Sequence, residues 1–518
     1  MKMKKFVSGL LLSSLILNGA VAPALANYNS MPSISAENVQ NYTGLLIKNH
    51  CQYLCGNEQI NNNSIVKSKL TSIEKNAEKA LSVYQGTANP YVLFNADGYD
   101  MSDSKTVDAL NSDAFYKNSQ YIYDICLAYS TFGTKYYHDE QLKQTLLDCL
   151  NAFYTVYNSH TGYVDKQTGR LFGNWWNWEI GVPTKITSVL AMLQTEVQNT
   201  NPELIKLYIE AFDNHLRTGK NGDVDLTAAT HTGTNLIDIT ANRIIQGALT
   251  EDSKRIEKAV NDMMTVFDTI DPYNIVNNNT DGVYADGSFI QHHRVAYTGS
   301  YGKLLLQKAV SSLYILSGTP WQPASKVSTI ENWIYNSFLP LMHEGYMSEV
   351  VKGRAVSRSN TGYSDSVGVI EAMTLLTTFL SDSNSLKMKE QIKYVIDSMP
   401  VEFSQSGLNL PAIEPYTQII NDKNIKAVNH VKQGAVAFNA MDRNLQLNDK
   451  FTFALSRSSD RIAKYEYMSG ENLKPWFQGD GAYYLYLSGV DQTKQYGVNY
   501  FTTVNPYRLA GTTVPNEE

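Results

Sequence analysis

The hydrophobic period changes once along this 518-residue chain, and that change limits the folds open to it. Up to about residue 399, apolar residues recur at helical spacing. Ile186, Val189, Leu190, Leu193 and Val197 do so after Pro183; Ile237, Ala241, Ile244 and Ala248 repeat the pattern, as do Val369, Met373, Leu376 and Leu380. Many amphipathic helices joined by aromatic, Asn- and Gly-rich loops predict paired helices in an α/α toroid over residues 27–399. From 400 onward the period drops to two, as in Phe451, Phe453 and Leu455, with Asn448-Asp449 marking a turn between Ala435–Met441 and that run. Residues 400–518 are therefore expected to form strands of an antiparallel sheet, which makes the chain a multidomain α+β protein.

Lys2, Lys4 and Lys5, the apolar run Phe6–Leu17 and the small-residue site Ala24-Leu25-Ala26 read as a secretory signal over residues 1–26. The mature chain is thus expected outside the cell, as a monomer. The apolar run is shorter than the roughly 20 residues of a bilayer-spanning helix, and no later stretch is long and apolar enough to span. Removing the three lysines from a formal charge of −7 leaves about ten net negative charges, which argues against nucleic acid and other polyanions as general partners. An acidic substrate must meet a local basic cleft. Cys51, Cys55, Cys126 and Cys149 are too few for a disulfide framework; Cys51 and Cys55 either pair or stand one helical turn apart as thiols.

The strongest chemical signal is Asp281–Gly302, which sets an imidazole at His292 and a phenol at Tyr301 nine positions apart. A proton acceptor and a proton donor, with no evident metal cluster or acidic pair, suit carbon-acid elimination and poorly suit a hydrolysis that needs two carboxylates. Ordinary roles exist for every candidate. Tyr301 opens the run Leu304, Leu305, Leu306, Val310, Leu313 and can simply pack at a helix start; Asn235 precedes the run from Leu236 as an N-cap would. Arg354 and Arg358 would share one face if helical and, with Lys352, form a basic cluster. Trp175, Trp176 and Trp178 are three of six tryptophans and cannot all face one core, which leaves Trp178 to packing and at least one indole near a surface. The stretch from Asn277–Asp281 to Asp286 is oxygen-rich in the manner of a calcium loop and equally of ordinary turns.

Five segments occur in one order: Asn174-Trp-Trp-Asn-Trp-Glu-Ile-Gly-Val-Pro183, Thr232-Gly-Thr-Asn235 with Asp238, the His292/Tyr301 segment, Gly353-Arg-Ala-Val-Ser-Arg358, and Tyr465-Glu-Tyr-Met-Ser-Gly-Glu-Asn472. Together they resemble polysaccharide lyase family 8, the hyaluronate, chondroitin AC and xanthan lyases, over roughly residues 40–514. The resemblance implies cleavage of a uronate-containing polysaccharide, hyaluronan or chondroitin, by β-elimination, with a xanthan-type side-chain lyase as the nearest alternative and a non-catalytic carbohydrate-binding remnant as another. It implies that Asn235 contacts the uronate carboxyl group, that His292 rather than His293 removes the C5 proton, and that Tyr301 protonates the leaving oxygen. A tyrosinate performing both transfers is the other division of labour. Arg354 and Arg358 are implied to line the cleft, Trp175 and Trp176 to orient the polymer, and Glu466 or Glu471 to buttress the arginines. No organic cofactor is implied. One departure is Ala229, followed by Thr230 and His231, where hyaluronate lyases tend to carry a third aromatic residue. Because the family's β region is large and this sequence stops at Glu518, only the first part of that antiparallel β-sandwich region is expected, with exposed sheet edges.

Overall fold

Apolar stripes at helical spacing turn most of the chain from 36 to 421 into helices that each bury one face. The computed structural model describes residues 36–95, 100–101, 109–159, 173–359, 361–475, 478–479, 481–497, 500 and 503. The signal-peptide reading of residues 1–26 lies outside them. The main helices are α1 (Ala36–Cys55), α2 (Lys67–Ser82), α3 (Ala109–Ser130), α4 (Glu140–Ser159), α5 (Val182–Met192), α6 (Leu204–His215), α7 (Gly233–Leu249), α8 (Ser253–Met264), α9 (Lys303–Ile315), α10 (Tyr363–Leu376), α11 (Asp382–Ser398) and α12 (Leu410–Asn421). They pack as neighbours, α2 on α3, α3 on α5, α7 on α8 and α9 on α10. Helix α1 lies against α5, α7, α9 and α12, so the first helix meets the last in an α/α toroid.

Local signals set the ends. Helix α5 carries Pro183 in its first turn, and α8 starts at Asp252, whose side chain accepts from the Arg255 amide at 3.0 Å. The repeat through Val197 is interrupted at Leu193, after which Gln194–Thr200 forms a second short helix, and Leu380 falls beyond the end of α10. The expected boundary at 399/400 is also too early: α12 extends the helical region to Asn421 because Leu410, Ile413, Tyr416 and Ile419 still repeat at helical spacing. No helix among the described residues is long and apolar enough to cross a membrane.

Short strands punctuate the helical region: β1 (Gly282–Val283), β2 (Phe289–Gln291) and β3 (Val295–Ala296) form one antiparallel sheet, and β4 (Met342–His343) and β5 (Tyr346–Met347) another. The larger sheet is an antiparallel meander of β6 (Gly434–Phe438), β7 (Arg443–Asn448), β8 (Phe451–Ser456) and β9 (Tyr483–Leu487), with β6 and β9 at its edges. Its period is two as expected, but the face bearing Phe451, Phe453 and Leu455 is the more exposed one. Thr452, Ala454 and Ser456 are buried instead. The register explains this: Thr452 pairs with Tyr486 and Ala454 with Tyr484, and the two buried tyrosines fill the space that larger β8 side chains would need.

That buried face grips the helical region. The Tyr486 hydroxyl accepts from the Glu349 amide at 2.9 Å, and the Arg443 guanidinium donates to the Val350 carbonyl at 2.7 Å. Burial pushes the Arg443 guanidinium down to about 10, with Asp442 opposing. All four cysteines are free, with Cys51 and Cys55 one turn apart in α1.

Candidate active site

His292 and His293 occupy the turn between β2 and β3, and both take left-handed backbone, with φ of 54° and 64°. Such conformations cost non-glycine residues free energy, so the surroundings must hold them. Asp281 does. Its buried carboxylate accepts from the His293 amide at 2.6 Å, the Thr232 hydroxyl at 2.7 Å and the Gln291 amide group at 2.9 Å. With these oxygens engaged by protein donors, Asp281 serves a turn, and among the described residues no group of three His, Cys, Asp or Glu side chains is placed to hold a metal ion.

Tyr301 lies in the π-helical turn Thr298–Gly302 that leads into α9. Thr234 joins the pieces: its amide donates to Gln291 Oε1 at 3.0 Å and its hydroxyl to the Tyr301 carbonyl at 2.7 Å. Gly233 beside it has φ 49°, and a Cβ there would lie 2.2 Å from Gln291 Oε1, so this approach requires glycine. Asn235 therefore sits at the same end of α7 and α9 as His292 and Tyr301. It is not the N-cap: Thr232 holds that position, and Asn235 is the third helical residue, buried, its carboxamide without a hydrogen-bond partner among the described residues. The helix begins earlier than the apolar run because the Thr232 hydroxyl is drawn to Asp281.

The His292 ring meets Tyr301 edge to face at 4.7 Å between centroids, and Tyr297 stands 4.8 Å from Tyr301. Glu466 reaches this group from the segment after β8. One carboxylate oxygen accepts from His292 Nδ1 at 2.5 Å; the other accepts from the Tyr297 hydroxyl and from Arg354 Nη1, the latter at 3.0 Å. A carboxylate on Nδ1 fixes the neutral tautomer with the proton there and leaves the Nε2 lone pair free. Burial works to raise the Glu466 carboxyl, but hydrogen bonds from His292 and Tyr297 and the charge of Arg354 outweigh it and hold it at about 2. Burial pushes the Tyr297 phenol up, and Glu466 adds to the rise, so Tyr297 stays protonated.

Arg354 and Arg358 do not share a helical face. Gly353–Ser357 is a 3₁₀ turn and Arg358 is extended, because Gly353 at φ 54° lies against the Tyr297 ring, where a Cβ would come within 2.4 Å. Glu471 unites them, accepting from Arg354 Nε at 2.8 Å and from Arg358 Nε at 2.7 Å. The Arg358 hydrogen bond comes first in holding the Glu471 carboxyl below the usual range. Lys352 leaves the expected basic cluster altogether. It is fully buried, bound to Glu349 at 2.8 Å with Asp365 at 3.9 Å, because those two acids lie in the same dry interior.

Trp178 is core, stacked on His215 with centroids 4.7 Å apart and covered by Arg217. Trp175 and Trp176 are half-buried, Trp176 edge-on to Tyr116 at 5.4 Å. Their turn is tied to the loop ending at Thr232 through Glu179, which accepts from the Thr218 amide at 2.8 Å and its hydroxyl at 2.6 Å, while Thr218 contacts His231 at 2.9 Å. The sequence carries no signal for Tyr297, one of 34 tyrosines, or for Gln291; it shows Asp281 only as part of an oxygen-rich turn.

Residues 51–394 match the polysaccharide lyase family 8 N-terminal alpha-helical domain, and residues 433–518 match that family's super-sandwich domain. The chain belongs to polysaccharide lyase family 8. Among family 8 relatives, it is 31% identical over 407 residues to hyaluronate lyase HylB of Enterococcus faecalis (strain ATCC 700802 / V583), covering 75% of this chain and 38% of that protein. It is 32% identical over 352 residues to hyaluronate lyase of Staphylococcus aureus (strain NCTC 8325 / PS 47), covering 67% and 42% respectively. A solved Paenibacillus xanthan lyase superposes with a TM-score of 0.73 at 26% identity, covering 91% of this chain and 42% of that one. This family 8 chain thus spans less than half the length of these relatives.

Proposed function

We propose that the protein is a lyase that cleaves a uronate-containing polysaccharide, hyaluronan or chondroitin, by β-elimination, leaving a 4,5-unsaturated uronate at the new non-reducing end. The observation that carries this reading is the Glu466 carboxylate on His292 Nδ1, which leaves Nε2 as a free base beside the Tyr301 phenol. In this scheme Asn235 donates to the uronate carboxylate and draws charge from it, which acidifies the C5 proton. His292 Nε2 takes that proton, the C5–H electron pair becomes the C4–C5 double bond, and the C4–O bond breaks. Tyr301 gives its proton to the departing glycosidic oxygen. Glu466 then faces an imidazolium, which it stabilises.

One observation favours a second division of labour. The Arg354 guanidinium stands 5.9 Å from the Tyr301 ring centroid, beside the phenol that would act as both base and acid in this route. Residual turnover in His292→Ala together with none in Tyr301→Phe would select that route.

Incubation of the protein with hyaluronan, chondroitin and xanthan in turn, following ultraviolet absorbance from the new double bond, tests the proposal. Absorbance growth on hyaluronan or chondroitin is expected. Growth on xanthan alone would move the substrate to the side-chain class that the Paenibacillus likeness also supports, and silence on all three from folded protein would overturn the activity. The reading of residues 1–26 as an export signal, with the acidic polymer as partner, places this reaction outside the cell.

A further inference from the structure

A cavity of about 250 Å³ lies within the helical ring between α1, α5, α7 and α9. Its near rim is one helical turn from the candidate catalytic groups: Asp238 follows Asn235 by three residues in α7, and Leu304 follows Tyr301 by three at the start of α9, a step of roughly 4.5 Å. Leu304 is 43% exposed although it lines the cavity, so the space opens to solvent at that level.

The lining charges do not balance. Lys308 is bound to Asp238 at 3.1 Å. Lys185 has no hydrogen-bond or ion-pair partner among the described residues; it stands over the Tyr123 ring at 4.6 Å and is attracted by Asp124 from beyond ion-pair distance. Burial pushes its ammonium down to about 8, with Asp124 opposing, so it remains largely cationic at neutral pH. A half-buried ammonium without an acceptor in a cavity wall is open to an anionic ligand, and the elimination chemistry makes no use of it. Around it the wall is mainly apolar, with Ile244 and Ile245, and otherwise polar, with Gln307 and with Asn242, whose carboxamide donates to Thr184 Oγ1 at 2.9 Å. His50, also on the wall, is kept neutral by burial, which pushes it down to about 3. A ligand that satisfies all of this carries one negative charge for Lys185, hydroxyls for the carboxamides and an apolar face. The volume lies just below the usual range for drug-sized ligands, so it admits one sugar ring rather than a chain.

We propose that this cavity binds a single monosaccharide-sized hydroxy-carboxylate, a sugar acid, with its carboxylate on Lys185. The assignment concerns a pocket apart from His292 and Tyr301 and stands whether or not the elimination is correct. Isothermal titration calorimetry with sodium D-glucuronate, and with D-glucose as the neutral match, tests it on the wild type, Lys185→Met and Arg354→Ala proteins. Expected is a saturable site for glucuronate with Kd of about 1 mM or tighter, weakened about tenfold or more by Lys185→Met, retained in Arg354→Ala, and not shared by glucose. No saturable glucuronate site, a site kept in Lys185→Met but lost in Arg354→Ala, or equal binding of glucose would overturn it. Should Lys185→Met fail to fold, protection of the Lys185 amine from reductive methylation by glucuronate in the wild type decides instead. Protection supports the site and its absence rejects it.

Discussion

The ring of helices and the sheet contribute to the site in opposite ways. The ring side supplies the candidate catalytic groups: Asn235 from the first turn of α7, His292 from a strained turn, Tyr301 from the entry to α9. The sheet side supplies acids that touch those groups instead, Glu466 on His292, Tyr297 and Arg354, and Glu471 on both arginines. Chemistry and charge balance are thus built by different parts of the chain. A bare imidazole on the ring would have no fixed tautomer, and Arg354 would be a half-buried cation without a partner.

This division is open to test, and the largest effect belongs to the ring. Tyr301→Phe removes the proposed donor to the leaving oxygen, and the rate of absorbance growth should fall about a thousandfold or more while polymer binding persists; a near-normal rate would remove Tyr301 from the mechanism. Next comes Glu466→Gln, which keeps the shape but withdraws the acceptor charge, and a loss of about a hundredfold in kcat is expected. The same variant has a stability signature. The folded Glu466 carboxyl, at about 2, lies below its ordinary 4.5, so the stabilisation it brings is complete above 4.5 and lost as pH falls toward 2. The melting-temperature gap between wild type and Glu466→Gln should therefore close over that window; a gap that stays constant would deny Glu466 its ionised role.

Glu471→Gln is predicted to be milder, about tenfold in kcat/KM, since it orients arginines rather than the base. Equal losses for the two glutamates would erase the distinction between them. Arg358→Ala should cost only about two- to fivefold, mostly in KM, and the cost should shrink as salt rises because this side chain is 48% exposed. Least of all, Leu487→Ser on the outer face of β9, where Leu487 is 42% exposed, should change stability by less than about 0.5 kcal/mol, whereas Tyr486→Phe, one residue earlier, removes the acceptor for the Glu349 amide and should cost about 1 kcal/mol or more.

Much of this was legible before any coordinates. Helical spacing marked the ring, and alternation marked β8, because both are properties of residues a few positions apart. Such local rules fail where a group distant in sequence competes. Asn235 looked like a cap because the apolar run starts at Leu236, but the Asp281 hydrogen bond to Thr232 starts the helix sooner. Lys352 looked like part of a basic face, yet Glu349 and Asp365 make the interior its better environment.

From order and spacing alone the chain declared its family and nominated Asn235, His292, Tyr301 and Arg354. Folding alone decided that Tyr297, among so many tyrosines, joins them, and that the carboxylate which gives His292 its tautomer comes from 174 residues further along. The reason is physical. Periodicity and turns are written in neighbouring residues, whereas an electrostatic partner is chosen by distance in space, and no stretch of sequence carries that distance.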